Sequence, residues 1–296
     1  MIKLGFAKVL FARSRESKDG VRAGERVGVA GFFTRKILVT DSRPGHIMKK
    51  TLWIISNIFG YLFGERFLAP FYHAVVNFGL HGLGYDNMYL EAGTGEEWFV
   101  KKILAKHNPK ICLDIGANVG DFSALLIKYT KARIYAFEPS SSAFEKIPVE
   151  KENRLTKIKA AVADFDGEAS LYSKGAHDPK ASLDKNVRGG NEEKVSVITV
   201  QSVAKKYHLD VIDFIKIDTE GYEKEVLKGL GTIRPKFIQF EFNIHHLYRN
   251  ITLHELSQLL PEYDLYRLLP RSWIKIDPRK HIDNVFMFSN IVAVKK

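Results

Sequence analysis

Three short motifs set polar groups where apolar runs end. Residues 113–122 read Leu-Asp-Ile-Gly-Ala-Asn-Val-Gly-Asp-Phe. Here an apolar run stops in a small-residue turn that opens a helix. Gly116 and Gly120 let the main chain approach a ligand closely, with Asp114 at the strand end and Asn118 in the turn. The helix start beyond them presents free N–H groups. This is the pattern of a nucleotide-type cofactor site on the first strand of a doubly wound sheet. A dinucleotide fingerprint needs glycines where Asn118 and Asp121 stand, and a diphosphate would meet the carboxylates of Asp114 and Asp121. The loop therefore argues against an NAD-type oxidoreductase and for a cofactor without phosphates that carries an amino-acid end. Glu138, in Tyr135-Ala136-Phe137-Glu138-Pro139, follows Gly116 by 22 positions. An acid there can accept hydrogen bonds from both ribose hydroxyls of an adenosine. Asp164, after Ala161-Val162-Ala163, is placed for the adenine amino group. A turn-forming Asp ahead of Asp166-Gly167 is the competing reading.

A second group of residues could act on an acceptor. Asp218 ends the apolar run 213–217, and Glu220 and Glu223 follow within the next turn. Three carboxylates so close do not all ionise at low cost when partly buried, so one can have a raised pKa and serve as a base. They are also suited to a divalent ion through oxygen, although no metal is assigned. Acids also favour first helical turns for the dipole alone, which accounts readily for Glu223. Glu241 interrupts the apolar run 237–242, and His245 and His246 follow it. Either histidine could take a proton near neutral pH. We take Asp218, Glu220 and His245 as the catalytic candidates. The cofactor set is Asp114, Gly116, Asn118, Gly120, Glu138, Asp164 and Asp218.

Elements must bring these residues together. The spacing predicts a helix over 96–106, strands at 111–115, 133–137, 158–163, 214–217 and 237–242, and helices between them. Segments 169–172 and 195–200 read as a paired insertion, and 265–269 and 285–294 as closing strands. Strands alternating with helices imply a mostly parallel sheet covered on both faces, a Rossmann-like α/β architecture. With the three strand-end motifs, this reads as a site for S-adenosylmethionine. Lys216, between apolar neighbours, either pairs with a carboxylate or reaches an edge. Cys112 reads as a buried packing residue.

The motifs DIGANVGDF, AFEPS, VADFDG and Ala181-Ser182-Leu183, and above all DFIKIDTEGYE followed by EVLKG, resemble the FkbM-type methyltransferases over residues 95–245. The resemblance implies a class I methyltransferase fold, a seven-stranded sheet whose last strand pairs antiparallel. It also implies methyl transfer from S-adenosylmethionine, usually to a hydroxyl of a sugar, glycan or other small metabolite. On this reading residues 96–296 are the methyltransferase domain. A relative that binds the cofactor or a partner without transferring a methyl is the alternative, opposed by the acids at 138, 218 and 220.

The 296 residues carry a net charge of +11, with 45% hydrophobic and 27% charged residues. Those values exclude collagen-like, low-complexity and wholly disordered chains. Residues 1–50 hold 12 basic and 4 acidic residues, a net +8, and the rest only +3. With no long basic run and no aromatic stripe in the catalytic part, a nucleic-acid partner is not expected. Residues 1–50 read as a disordered basic extension, or as a misassigned start with Met48 as the alternative. Residues 51–95 read as an apolar helical segment. Its uncharged run 51–64 is 14 residues long, short of the roughly 20 that span a bilayer. It is expected to pack on the domain or a partner, or to touch a membrane peripherally through residues 49–66. One cysteine excludes an internal disulfide framework and suits a cytoplasmic placement, membrane-associated if that contact forms. The sequence leaves the oligomeric state unassigned.

Overall fold

A computed structural model describes residues 44–87, 93–148, 153–175, 178 and 181–296. Most of the basic segment (1–43), parts of the 173–194 loop and residues 88–92 lie outside the described residues. The chain divides into two units between Ala69 and Pro70. In the first, α1 spans Pro44–Phe63 and starts before the expected 51. Its polar residues satisfy themselves locally: Ser56 Oγ and Asn57 Nδ2 both donate to the Trp53 carbonyl, at 2.9 and 2.8 Å.

The division falls at the start of α2 (Ala69–Gly82). After it come α3 (Glu96–Lys102), β1 (Ile111–Ile115), α4 (Asp121–Tyr129), β2 (Arg133–Phe137), α5 (Ser141–Phe144), β3 (Leu155–Ile158) and β4 (Ala161–Val162). Then follow β5 (Gly167–Ser173), β6 (Asn191–Ile198), α6 (Val200–Lys206), β7 (Phe214–Ile217), α7 (Glu223–Lys228) and β8 (Phe237–Phe242). The chain closes with α8 (Ile244–Tyr248), α9 (Leu253–Gln258), β9 (Tyr263–Leu269), β10 (Ser272–Lys275) and β11 (Ser289–Lys295). The helix expected over 96–106 stops at Lys102. Residues Leu104–His107 wind into a tighter turn that Asn108 ends in the left-handed region, at φ 49°.

The main sheet runs β10-β9-β11-β8-β7-β1-β2-β3. It has eight strands, not the expected seven, because the short hairpin strand β10 adds to the edge at β9. β3, β2, β1, β7 and β8 are parallel, and β11 lies antiparallel between β8 and β9, so that β9 runs in the same direction as the parallel set. This is the mostly parallel, Rossmann-like α/β arrangement that the sequence predicts. The strand expected over 158–163 divides in two. Leu155–Ile158 joins β2, and Ala161–Val162 turns away to pair with β6 in a second, three-stranded sheet. The expected insertion forms that sheet's antiparallel β5–β6 pair.

Every residue of β1 and β7 is buried, as strands covered on both faces require. One face packs Cys112 and Phe214 against Phe99 of α3 and Phe122 of α4. The other packs Leu113 and Phe240 against residues of α6, α7 and α9. Cys112 is buried, and burial pushes its thiol pKa up. Strand order reverses between β1 and β7, so loops leaving their carboxyl ends diverge and open a crevice there.

Candidate functional site

The loop after β1 is fixed by close main-chain contacts. Gly116 has φ 79°, and a Cβ on it would come within 1.7 Å of the Asp218 carbonyl oxygen. Only glycine lets the ends of β1 and β7 meet this closely. The Gly116 and Ala117 N–H groups both donate to the Phe137 carbonyl at 2.9 Å, which ties the loop to the end of β2. Asn118, at φ 49°, aims its N–H at Glu138 Oε2, 2.8 Å away. The Ser140 N–H donates to Glu138 Oε1 at 2.8 Å. Burial pushes the Glu138 carboxyl up to about 7, although these two bonds pull the other way.

Above these strand ends lies a cavity of about 230 Å³. Gly116, Asn118, Glu138, Asp218 and Glu220 line it, with Val162, Leu171, Leu183 and Tyr222 among its apolar wall. Leu183 sits in a segment secured at both sides: Ser182 Oγ donates to the Glu220 carbonyl at 3.0 Å, and Asp184 pairs with Arg249 at 2.7 Å. Three residues of the expected cofactor set are not among those lining the cavity. Asp114 is buried one step behind, where Ser123 Oγ donates to its Oδ2 at 2.6 Å while Oδ1 has no hydrogen-bond partner. Gly120 faces Ile147 and Pro148. The Asp164 carboxylate lies 3.8 Å from Lys228 Nζ.

Lys216 organises the buried acids. Its Nζ is 2.8 Å from Asp218 Oδ2, 4.0 Å from Glu96 Oε1 and 4.9 Å from the centre of the Phe122 ring. Burial opposes its charge, but Asp218, Glu96 and Asp114 together hold its pKa well above the ordinary lysine value. Of the two sequence readings of Lys216, pairing with carboxylates is the one found. Glu96 also accepts from Gln239 Nε2 at 2.7 Å, and burial raises its pKa.

The turn from β7 to α7 holds Glu220 in the left-handed region at φ 52°, with Gly221 next at φ 100°. Glu223 braces this turn by accepting from the Thr219 N–H at 2.9 Å, Thr219 Oγ1 at 3.0 Å and the Gly221 N–H at 3.3 Å. Its other oxygen lies 3.1 Å from His246 Nε2. Burial raises the Glu223 pKa, but the His246 contact and the backbone N–H donors together outweigh it and leave the carboxyl below its ordinary value. His246 in turn accepts the Asn243 N–H at Nδ1, 3.3 Å away. Both residues are fully buried; they lock the β7 and β8 turns together and have no open face for an acceptor. Among the described residues no group of His, Cys, Asp or Glu forms a metal-binding cluster.

His245 differs. Its Nδ1 is 3.0 Å from Glu220 Oε2, and it borders a second cavity of about 300 Å³. That cavity also takes in Asp86, Asn243 and Phe286–Phe288, and it shares Glu220 and Glu241 with the first. Burial raises the Glu220 pKa. Burial, with the nearby charges of Asp218 and Glu220, lifts Glu241 well above the usual carboxylate range. Asn243 Nδ2 donates to Glu241 Oε1. The far wall is fastened from behind. Arg267 lies 3.8 Å over the Tyr85 ring and 3.2 Å from Asp283, and the Asp86 N–H donates to the Phe288 carbonyl at 2.8 Å. Asp86 and Phe286–Phe288 carry no motif, and it is tertiary packing, with the Asp86 N–H bonded to the Phe288 carbonyl, that brings them to the site.

Two cavities that share acidic lining residues can hold a cofactor on one side and an acceptor on the other. Residues 114–267 match the family model described as the methyltransferase FkbM domain. The chain is 21% identical over 180 residues to "Hexuronic acid methyltransferase AglP" of Haloferax volcanii, covering 58% of this chain and 70% of that protein. It is 27% identical over 158 residues to "Methyltransferase sdnD" of Sordaria araneosa, covering 42% of this chain and 61% of that one, less than two thirds of its length. Among solved structures it is similar to a precorrin-6y C5,15-methyltransferase from Geobacter metallireducens, with a TM-score of 0.40 at 12% identity, over 71% of this chain and 92% of that one. The plantazolicin methyltransferase BpumL in complex with SAH gives 0.39 at 12% identity, over 69% and 83%.

Proposed function

The chain belongs to the FkbM methyltransferase family, and from that premise we propose that it transfers a methyl group from S-adenosylmethionine to a hydroxyl of a sugar or similar polyhydroxylated acceptor. The observation that carries this reading is the pair of cavities sharing Glu220 and Glu241. The first cavity suits the cofactor. Each Glu138 oxygen takes one N–H donor and keeps a lone pair for a ribose hydroxyl. The side-chain-free Gly116 keeps the strand ends close, and Val162, Leu171 and Leu183 offer an apolar slot for a flat ring. Asp218 and Glu220 give the cavity a negative wall that favours a sulfonium and an ammonium. When bound, the cofactor supplies an electrophilic methyl carbon and leaves as the thioether.

The chain's own residues hold the acceptor and remove its proton. His245, with Nδ1 against Glu220, has Nε2 left to take the hydroxyl proton as the oxygen–carbon bond forms. Glu220 orients the ring and stabilises it once charged. Glu241, whose carboxyl burial shifts toward the protonated form, can in that form donate a hydrogen bond to a neighbouring acceptor oxygen. A sugar class is supported by these adjoining polar groups and by the hexuronic acid relative. The test is incubation with 13C-methyl S-adenosylmethionine and a panel of uronic acids, hexoses and polyols, followed by NMR. Label in an O-methyl group is expected. Label on nitrogen or carbon acceptors alone would overturn the reading.

Cofactor binding should also report on Glu138. A carboxyl raised to about 7 stabilises the free fold fully below its ordinary value and loses that contribution as pH rises through about 7. Ribose hydroxyls favour the ionised form, so binding releases a proton. Affinity for S-adenosylmethionine is expected to rise by up to about tenfold per pH unit below pH about 7. Calorimetry in buffers of different ionisation enthalpy measures the release, and Glu138→Gln should remove this component.

A further inference from the structure

We propose that α1 docks this protein on an anionic membrane surface, lying in the headgroup plane with its apolar face turned to the acyl chains. Among the described residues no helix is long and apolar enough to cross a bilayer. At helical spacing, Met48, Leu52, Ile55, Ile58 and Leu62 share one face of α1, and Lys49, Lys50, Ser56, Asn57 and Gly60 share the other. The apolar face is open: Leu52, Ile55, Ile58 and Leu62 are 43–59% exposed. A core helix of ordinary globular type would bury such residues. Trp53 and Tyr61 are exposed on the polar side, and rings of this kind settle at headgroup depth.

Charge selects the partner. α1 has Lys49 and Lys50 and no acidic residue, and residues 1–50 carry a net +8. Basic residues beside an interfacial helix gain energy near anionic lipid within a Debye length. The second unit shows its own exposed stripe on α2, where Phe71, Val75 and Phe78 recur on one face and Phe78 is 83% exposed.

The test is sedimentation of the full chain with vesicles of phosphatidylcholine alone or mixed with phosphatidylglycerol. Binding to the anionic vesicles, weakened by salt, is expected. Ile55→Ser with Leu62→Ser should cut partitioning about a hundredfold, since two buried aliphatic side chains are lost. Binding of S-adenosylmethionine by this variant, unchanged from the parent, shows that the fold is intact. Failure to bind either vesicle, or equal binding by parent and variant, would overturn the proposal. So would a dimer in light scattering that the same substitutions dissociate, because α1 would then contact a second copy.

Discussion

Lys216→Met is expected to destabilise the protein by about 3–5 kcal/mol, the range seen when one partner of a buried ion cluster is removed. Lys216 is 7% exposed and is the cation facing Asp218, Glu96 and Asp114. Methionine fills similar volume, so the loss is electrostatic and not a cavity. For a domain of this size the shift in melting temperature is on the order of 10 °C. The deficit should also depend on pH with a definite sign. Burial already raises the pKa of Asp114 and Glu96, and without the lysine they rise further. Carboxyls raised in the fold contribute stability at low pH and lose it as pH climbs. The variant should therefore lose more relative to the parent at pH 8 than at pH 5 in scanning calorimetry. A deficit below about 1 kcal/mol, unchanged with pH, would place Lys216 among exposed pairs of little weight.

His245→Ala should lower kcat by about a hundredfold to ten-thousandfold, the usual contribution of a positioned base. Affinity for S-adenosylmethionine should stay within about twofold, since His245 borders the second cavity and is not among the residues lining the first. The residual rate should climb steeply with pH as hydroxide replaces the missing base. Asp218→Asn makes a poorer probe, because Asp218 also holds Lys216 at 2.8 Å and its loss mixes stability with turnover. Single-turnover rates with a labelled acceptor separate the two readouts. A His245→Ala enzyme at near-parent kcat would leave Glu220 or Asp218 as the base.

The part of this site built from neighbours in sequence was legible. An apolar run, a glycine turn and a strand-end acid identify Gly116, Asn118 and Glu138 before any fold is known, because each strand end is a local event. What depends on distant pairing was not. Glu96 and Lys216 lie 120 positions apart in sequence, and only the packing of α3 on the sheet joins them. Glu223 followed the dipole pattern of a first helical turn, yet His246 and three donors make it a brace. Nothing local separates His245 from His246. Their opposite placements come from α8 leaving β8 through Asn243, whose side chain caps the helix. The eighth strand went unread because Pro270-Arg271 marks an end, while register pairs Ser272 with Leu269 across it.

The S-adenosylmethionine site proposed in the first cavity depends on Glu138. Calorimetric titration of S-adenosylmethionine into the full chain and into Glu138→Ala at one pH tests it most directly. We predict saturable binding by the parent and a loss of about 1–3 kcal/mol in the variant from the missing ribose hydrogen bonds. No binding by the parent, or equal affinity in both proteins, would contradict it.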